Sequence, residues 1–164
     1  MDLYILRHGI AAERDPQKYP DDDLRPLTPE GRRKVKRVAA ALKDLGYEFD
    51  LILSSPLKRA SKTAEIVAAV FQAEGRLEVT SHLEPGGDPR RLIAEIAARR
   101  RQSVLLVGHE PYLSQLISVL LSGREELGID LKKGGFCHLS AASLRYGACA
   151  VLECLLAPKQ MIRS

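Results

Sequence analysis

The chain has 164 residues, with 25 lysines and arginines against 21 aspartates and glutamates, a formal net charge of +4, and 45% hydrophobic and 28% charged residues. That length fits one domain over 1–164, large enough to bury about two thirds of the surface its unfolded form exposes. No run of about 18 apolar residues is available to span a bilayer, and an N-terminus that places Asp2, a short apolar run and then Arg7 is in the wrong order for an export signal, so a cytoplasmic globular protein is expected.

The apolar run at 2–6 reads as a first strand that stops at Arg7-His8-Gly9. A first helix opens at "LTPEGRRKV", with Thr28 as cap, Pro29 at the first helical position and Gly31 tolerated, and runs through Val35, Val38, Ala39, Leu42 and Leu45 to a stop at Gly46. A second strand, "DLILSS" (50–55), leads into a second helix over roughly 57–73. A third strand, "LEVTS" (77–81), precedes "HLEPGGD" and a helix capped by Asp88. "SVLLVG" (103–108) is a fourth strand ending in His109-Glu110-Pro111, and a fourth helix runs from Pro111 to about Gly123.

These four strands look hydrophobic on both sides, as in a parallel sheet covered on both faces. The alternation predicts βαβ crossovers and an α/β class: a single three-layer α/β/α domain, mostly parallel. Past residue 134, "CHLSAASLRY", a turn at Gly147 and "ACAVLECLLA" read as a hairpin adding an antiparallel C-terminal edge. The basic clusters "RRKVKR" (32–37) and "RRR" (99–101) lie on helical segments without interleaved aromatics, so they read as solvated faces, and no nucleic-acid or membrane partner is expected. Cys137, Cys149 and Cys154 have no metal-site spacing and read as reduced and buried.

In open α/β sheets ligands bind beyond the carboxyl ends of the strands, so the loops that follow them carry the chemistry. Arg7 and His8 leave strand one, Arg59 follows strand two, and His109 leaves strand four. Two arginine forks can grip the oxygens of a phosphoryl group. A neutral imidazole beside guanidinium charge is a competent nucleophile, and Gly9 would allow backbone to approach the ligand closely.

"RHG" after the first strand, "SSPLKRASKTA" after the second and "GHEP" after the fourth resemble the histidine phosphatase superfamily, the phosphoglycerate mutase-like fold. The short length, "RPLTPEGR" (25–32) and "LEPGGDP" resemble its SixA-type phosphohistidine phosphatases, over residues 2 to about 155. The resemblance implies His8 as the nucleophile that takes the phosphoryl group, Arg7 and Arg59 on its oxygens, His109 donating a hydrogen bond, and Arg25 as an auxiliary phosphate ligand. It implies a two-step displacement through a phosphohistidine enzyme, with no metal and no cofactor. Phosphohistidine on a protein is the expected substrate.

A small phosphorylated molecule, or phosphoserine or phosphothreonine on a protein, is the alternative; a further one, from outside enzymology, is an inactive phosphate-binding regulatory module. An alcohol leaving group needs a proton donor. Glu84, near where the mutase-like branch places its acid, is the first candidate, with Glu110 and Asp88 behind it as residues equally suited to helix starts. A metal hydrolase is disfavoured because "HEPYL" lacks the second histidine of HExxH, and GxGxxG and GxSxG are absent. The acidic run "PDDDLRP" (20–26) reads as a solvated rim.

Overall fold

The run at 2–6 forms β1 (Asp2–Arg7), followed by α1 (Pro29–Asp44), β2 (Leu51–Ser54), α2 (Lys58–Phe71), β3 (Leu77–Val79), α3 (Pro89–Arg99), β4 (Ser103–Gly108), α4 (Tyr112–Ser122), β5 (Phe136–Ala141), β6 (Ala150–Leu156) and the short α5 (Pro158–Met161). The computed structural model describes residues 1–163. Helix starts follow the cap chemistry: Thr28 Oγ1 accepts from the Gly31 N–H at 2.9 Å, and the Asp88 carboxylate accepts from the Arg90 N–H at 2.9 Å, each with proline at the first helical position.

The strands form one six-stranded sheet in the order β3-β2-β4-β1-β5-β6. β1 pairs parallel with β4, and β2 parallel with β4 and β3, while β5 and β6 add the antiparallel edge. Alternation along the central strands divides the core. Leu3, Ile5, Val104 and Leu106 face α3 and α4, whereas Tyr4, Leu6, Leu105 and Val107 face α1 and α2. Each face is apolar enough to anchor a helix layer, so the carboxyl ends of β1, β2 and β4 are held in fixed register.

Four expectations are corrected. β3 is not covered on both faces: it is a three-residue edge strand with Val79 59% exposed, and Glu78 within it marks that edge. β5 ends at Ala141 rather than running on to Tyr146. Cys137 is buried, but Cys149 and Cys154 are only partly so. Gly31 is required rather than tolerated, because a Cβ there would lie 2.1 Å from the Ile10 carbonyl oxygen where the loop after β1 crosses α1. No helix among the described residues is long and apolar enough to cross a membrane.

Candidate active site

The parallel register of β1 and β4 pairs Arg7 with Gly108, so the next residues, His8 and His109, emerge side by side. The His8 N–H donates to the Gly108 carbonyl at 3.0 Å, and the two imidazole centroids stand 5.2 Å apart. Arg59 enters from the first turn of α2, with exposures of 7% for His8, 4% for Arg59 and 2% for His109. Thr63, one turn further along α2, ties the elements together: its hydroxyl donates to the Arg59 carbonyl at 2.7 Å and accepts from the Gly9 N–H at 3.1 Å. Gly9 is explained by packing rather than by ligand approach, since a Cβ there would lie 2.5 Å from Cγ2 of Val35 on α1.

Hydrogen bonding assigns the tautomers. Nδ1 of His8 lies 2.7 Å from the Gly9 carbonyl, which can only accept, so Nδ1 carries the hydrogen and Nε2 keeps its lone pair. Nε2 of His109 lies 2.8 Å from Ser55 Oγ, which already accepts from the Leu57 N–H at 3.2 Å. Because the Ser55 hydroxyl hydrogen has no other acceptor among the described residues, the arrangement that satisfies it has the serine donating to His109, which makes Nε2 an acceptor and Nδ1 an N–H donor.

Burial is the main cause that lowers the His8 pKa to about 4, against the Gly9 hydrogen bond and with help from the Arg59, Arg7 and Arg25 charges. Burial, then His8 and Arg59, lower His109 to about 3, with Asp22 opposing. Both rings are neutral at pH 7.

The buried side-chain polar atoms without a hydrogen-bond partner among the described residues are Arg7 Nε, Arg59 Nε, His109 Nδ1 and the Tyr112 hydroxyl. Three of the four belong to this cluster, and all three are donors. Orphaned buried donors are costly, and three of them on the side chains grouped with His8, whose imidazole keeps a free lone pair, describe a cradle for an oxyanion. Arg7 is oriented by donating from Nη1 to the Leu131 carbonyl at 3.0 Å. Arg25 stands close enough to lower both histidines, with its guanidinium anchored on the Ala12 carbonyl at 2.8 Å and on Asp22 at 3.0 Å.

The carboxylates separate clearly. Asp88 caps α3, and Glu110 accepts from the Ser114 N–H at 2.9 Å and from the Ser114 hydroxyl at the start of α4. Glu84 is half-buried at the end of the turn Ser81–Leu83, and among the described residues no hydrogen bond or ion pair links its carboxylate to the histidines or Arg59. Ser55, Thr63 and Asp22 were missed by sequence reasoning. Asp22 is the correction to the solvated-rim reading: its carboxylate lies 3.3 Å from Nη2 of Arg59. The Asp22-to-Arg25 spacing of three residues was the available signal. Among the described residues no group of three or more His, Cys, Asp or Glu could hold a metal ion.

The family model described as histidine phosphatase superfamily (branch 1) matches residues 3–84. The chain belongs to the histidine phosphatase superfamily. It is 32% identical over 126 residues to the phosphohistidine phosphatase SixA of Escherichia coli K12, covering 75% of this chain and 76% of that one. It is 38% identical over 151 residues to an uncharacterized protein of Picosynechococcus sp., covering 90% of each. Its fold matches the protein histidine phosphatase SixA complexed with tungstate at a TM-score of 0.84, with 26% identity over 98% of this chain and 99% of the other. A phosphoserine phosphatase from Entamoeba histolytica shares the fold at a TM-score of 0.73 and 16% identity, covering 98% and 99%. The histidine phosphatase fold is thus the α/β architecture expected from the strand and helix pattern.

Proposed function

We propose that this histidine phosphatase superfamily member is a phosphatase that hydrolyses phosphohistidine on a protein through a phosphoryl intermediate on its own His8. The single observation that carries this reading is that three buried donors without a partner among the described residues, Arg7 Nε, Arg59 Nε and His109 Nδ1, belong to the side chains grouped around His8, whose Nε2 is free. In the first step Nε2 attacks phosphorus in line while these donors and Arg25 take up charge on the oxygens, and the bond from phosphorus to the leaving group breaks. In the second step water attacks the phosphohistidine, releasing phosphate and restoring the neutral ring.

Phosphohistidine is favoured over an ester by the state of the carboxylates. An alkoxide needs a proton donor to depart, whereas a protonated phosphoimidazole leaves as neutral imidazole without one. Glu110 and Asp88 are engaged at helix N-termini, and among the described residues no hydrogen bond or ion pair ties the Glu84 carboxylate to the cluster. The SixA relatives, one described with the tetrahedral oxyanion tungstate, support the same reading. Guanidinium groups supply the charge neutralisation that metal ions supply elsewhere, so no metal or cofactor is invoked and EDTA is expected to leave the rate unchanged.

The test compares rates on a phosphohistidine peptide, a phosphoserine peptide and a sugar phosphate, using the wild type and His8→Ala. Preference for phosphohistidine, lost in His8→Ala, is the expected result. Equal or faster rates on the alcohol esters would overturn the substrate assignment in favour of a phosphomonoesterase with Glu84 as acid. Phosphate binding without turnover of any substrate would leave a regulatory binding module.

A further inference from the structure

The three aspartates of "PDDDLRP" do different things. Asp21 caps the short turn Asp22–Leu24 through the Asp23 N–H, at 3.0 Å, and Asp23 is exposed. Asp22 alone turns toward the site. Its backbone carbonyl accepts from Nη1 of Arg59 at 3.0 Å, its Oδ2 lies 3.3 Å from Nη2 of the same guanidinium, and its Oδ1 accepts from Nε of Arg25 at 3.0 Å. Arg14 Nε stands 3.9 Å away. Asp22 therefore occupies the two terminal nitrogens of Arg59 and leaves the buried, unpartnered Nε edge to the phosphoryl group. Its own side chain is still 43% exposed, at the mouth of the site.

A carboxylate at the mouth of an anion cradle needs a reason, because it repels a phosphate dianion. Partial burial pushes its pKa up, but the Arg25 hydrogen bond and the Arg25, Arg59 and Arg14 charges outweigh that and hold Asp22 below the usual range. The group is thus ionised at neutral pH and cannot serve as a proton donor to an alkoxide. Beyond holding Arg59 and Arg25, an ionised carboxylate in this place favours a substrate that carries a positive charge beside its phosphoryl group. A phosphohistidine protonated on its second ring nitrogen carries one; serine, threonine and sugar phosphates do not. A cavity of about 260 Å³ bounded by Arg14, Asp15, Pro16, Tyr19, Pro20 and Asp22 offers space for a ring next to that carboxylate.

We propose that Asp22 accepts the N–H of the substrate's phosphoimidazolium and thereby selects phosphohistidine over phosphate esters. The inference rests on the phosphohistidine reading above. The step balances without an added acid. The Nε2 lone pair of His8 forms the new bond to phosphorus, and the bond from phosphorus to the substrate nitrogen breaks with its electron pair going to that nitrogen. Neutral imidazole then departs, still holding the other N–H on Asp22. The charged groups facing Asp22 are Arg14 and Arg25 from its own loop, Arg59 from α2 and Asp15 on the wall of the same cavity, with neutral His8 and His109 behind them.

The test measures kcat/KM for a phosphohistidine peptide and for p-nitrophenyl phosphate, whose leaving group needs no proton, across pH for the wild type, Asp22→Asn and Asp22→Glu. In Asp22→Asn the ratio of phosphohistidine to aryl phosphate is expected to fall about tenfold or more, because a hydrogen bond between charged groups is lost. Its phosphohistidine rate should also fade at lower pH than in the wild type, since nothing then favours the protonated ring, and Asp22→Glu should recover most of the ratio. Parallel losses on both substrates would overturn the proposal and reduce Asp22 to a support for Arg59, as would an unchanged ratio. A wild type without preference for phosphohistidine would overturn the substrate reading as well. A wild-type preference that survives in Asp22→Asn overturns only the role of Asp22.

Discussion

Replacing Ser55 by alanine should reach the chemistry through His109 while touching neither substrate nor nucleophile. Ser55 is fully buried, and its hydroxyl, 2.8 Å from His109 Nε2, is the group that holds the hydrogen of His109 on Nδ1. Without it, Nε2 is left buried and unpaired, a penalty of about 1–3 kcal/mol, and nothing then prevents the hydrogen from moving to Nε2 or the ring from turning. Either response removes the donor from Nδ1 and presents a lone pair to the phosphoryl oxygens. If most of that energy falls on the transition state, kcat drops roughly ten- to a hundredfold, at about 1.4 kcal/mol per factor of ten. The assay is steady-state hydrolysis of p-nitrophenyl phosphate, paired with nitrogen NMR of the imidazoles to read the tautomer and a thermal melt to check folding. A Ser55→Ala protein that is folded, carries its hydrogen on Nε2 of His109 and still turns over at the wild-type rate would refute the reasoning.

Arg59→Lys should cost more than about tenfold in turnover although charge is retained, because one ammonium cannot both bind Asp22 through two nitrogens and present a further donor to phosphate; wild-type kinetics would contradict this. Stability should fall as pH drops from about 6.5 to about 4. In that window the unfolded chain protonates at His8 while the native imidazole, with its pKa near 4, does not. The contribution is of order 3 kcal/mol, complete above pH 6.5 and lost by pH 4, so the difference in urea midpoint between pH 7 and pH 4.5 should shrink in His8→Asn. An equal difference in both proteins would count against a buried neutral His8. Tyr112→Phe should leave stability unchanged or slightly raised, since the buried hydroxyl has no partner among the described residues; a loss above ~1 kcal/mol by chemical denaturation would show a hidden one.

His8 and His109 were legible because each interrupts an apolar run at the carboxyl end of a strand, where α/β sheets place their ligands. What the sequence lacked was the register that makes β1 and β4 neighbours, and hence the two imidazoles adjacent. Ser55 was hidden because "SS" after an apolar strand reads equally well as its frayed end. Asp22 was hidden among three consecutive aspartates: which one turns inward depends on Asp21 capping the turn, a choice made by backbone geometry and not by composition. Gly9 shows the reverse error, a glycine credited to ligand approach whose missing side chain makes room for Val35. Glu84 stood out by its place after β3; the turn that carries it folds back from that edge strand and sets Leu83 against Gly108 at the end of β4, which the strand pattern alone did not show.

The most direct measurement is to trap the reaction with a radiolabelled phosphodonor, quench it in alkali and map the labelled peptide. The account predicts label on the peptide containing His8, stable in base and lost in acid, and absent from His8→Ala. Turnover in the wild type without such an adduct, or with the label on another residue, would contradict it.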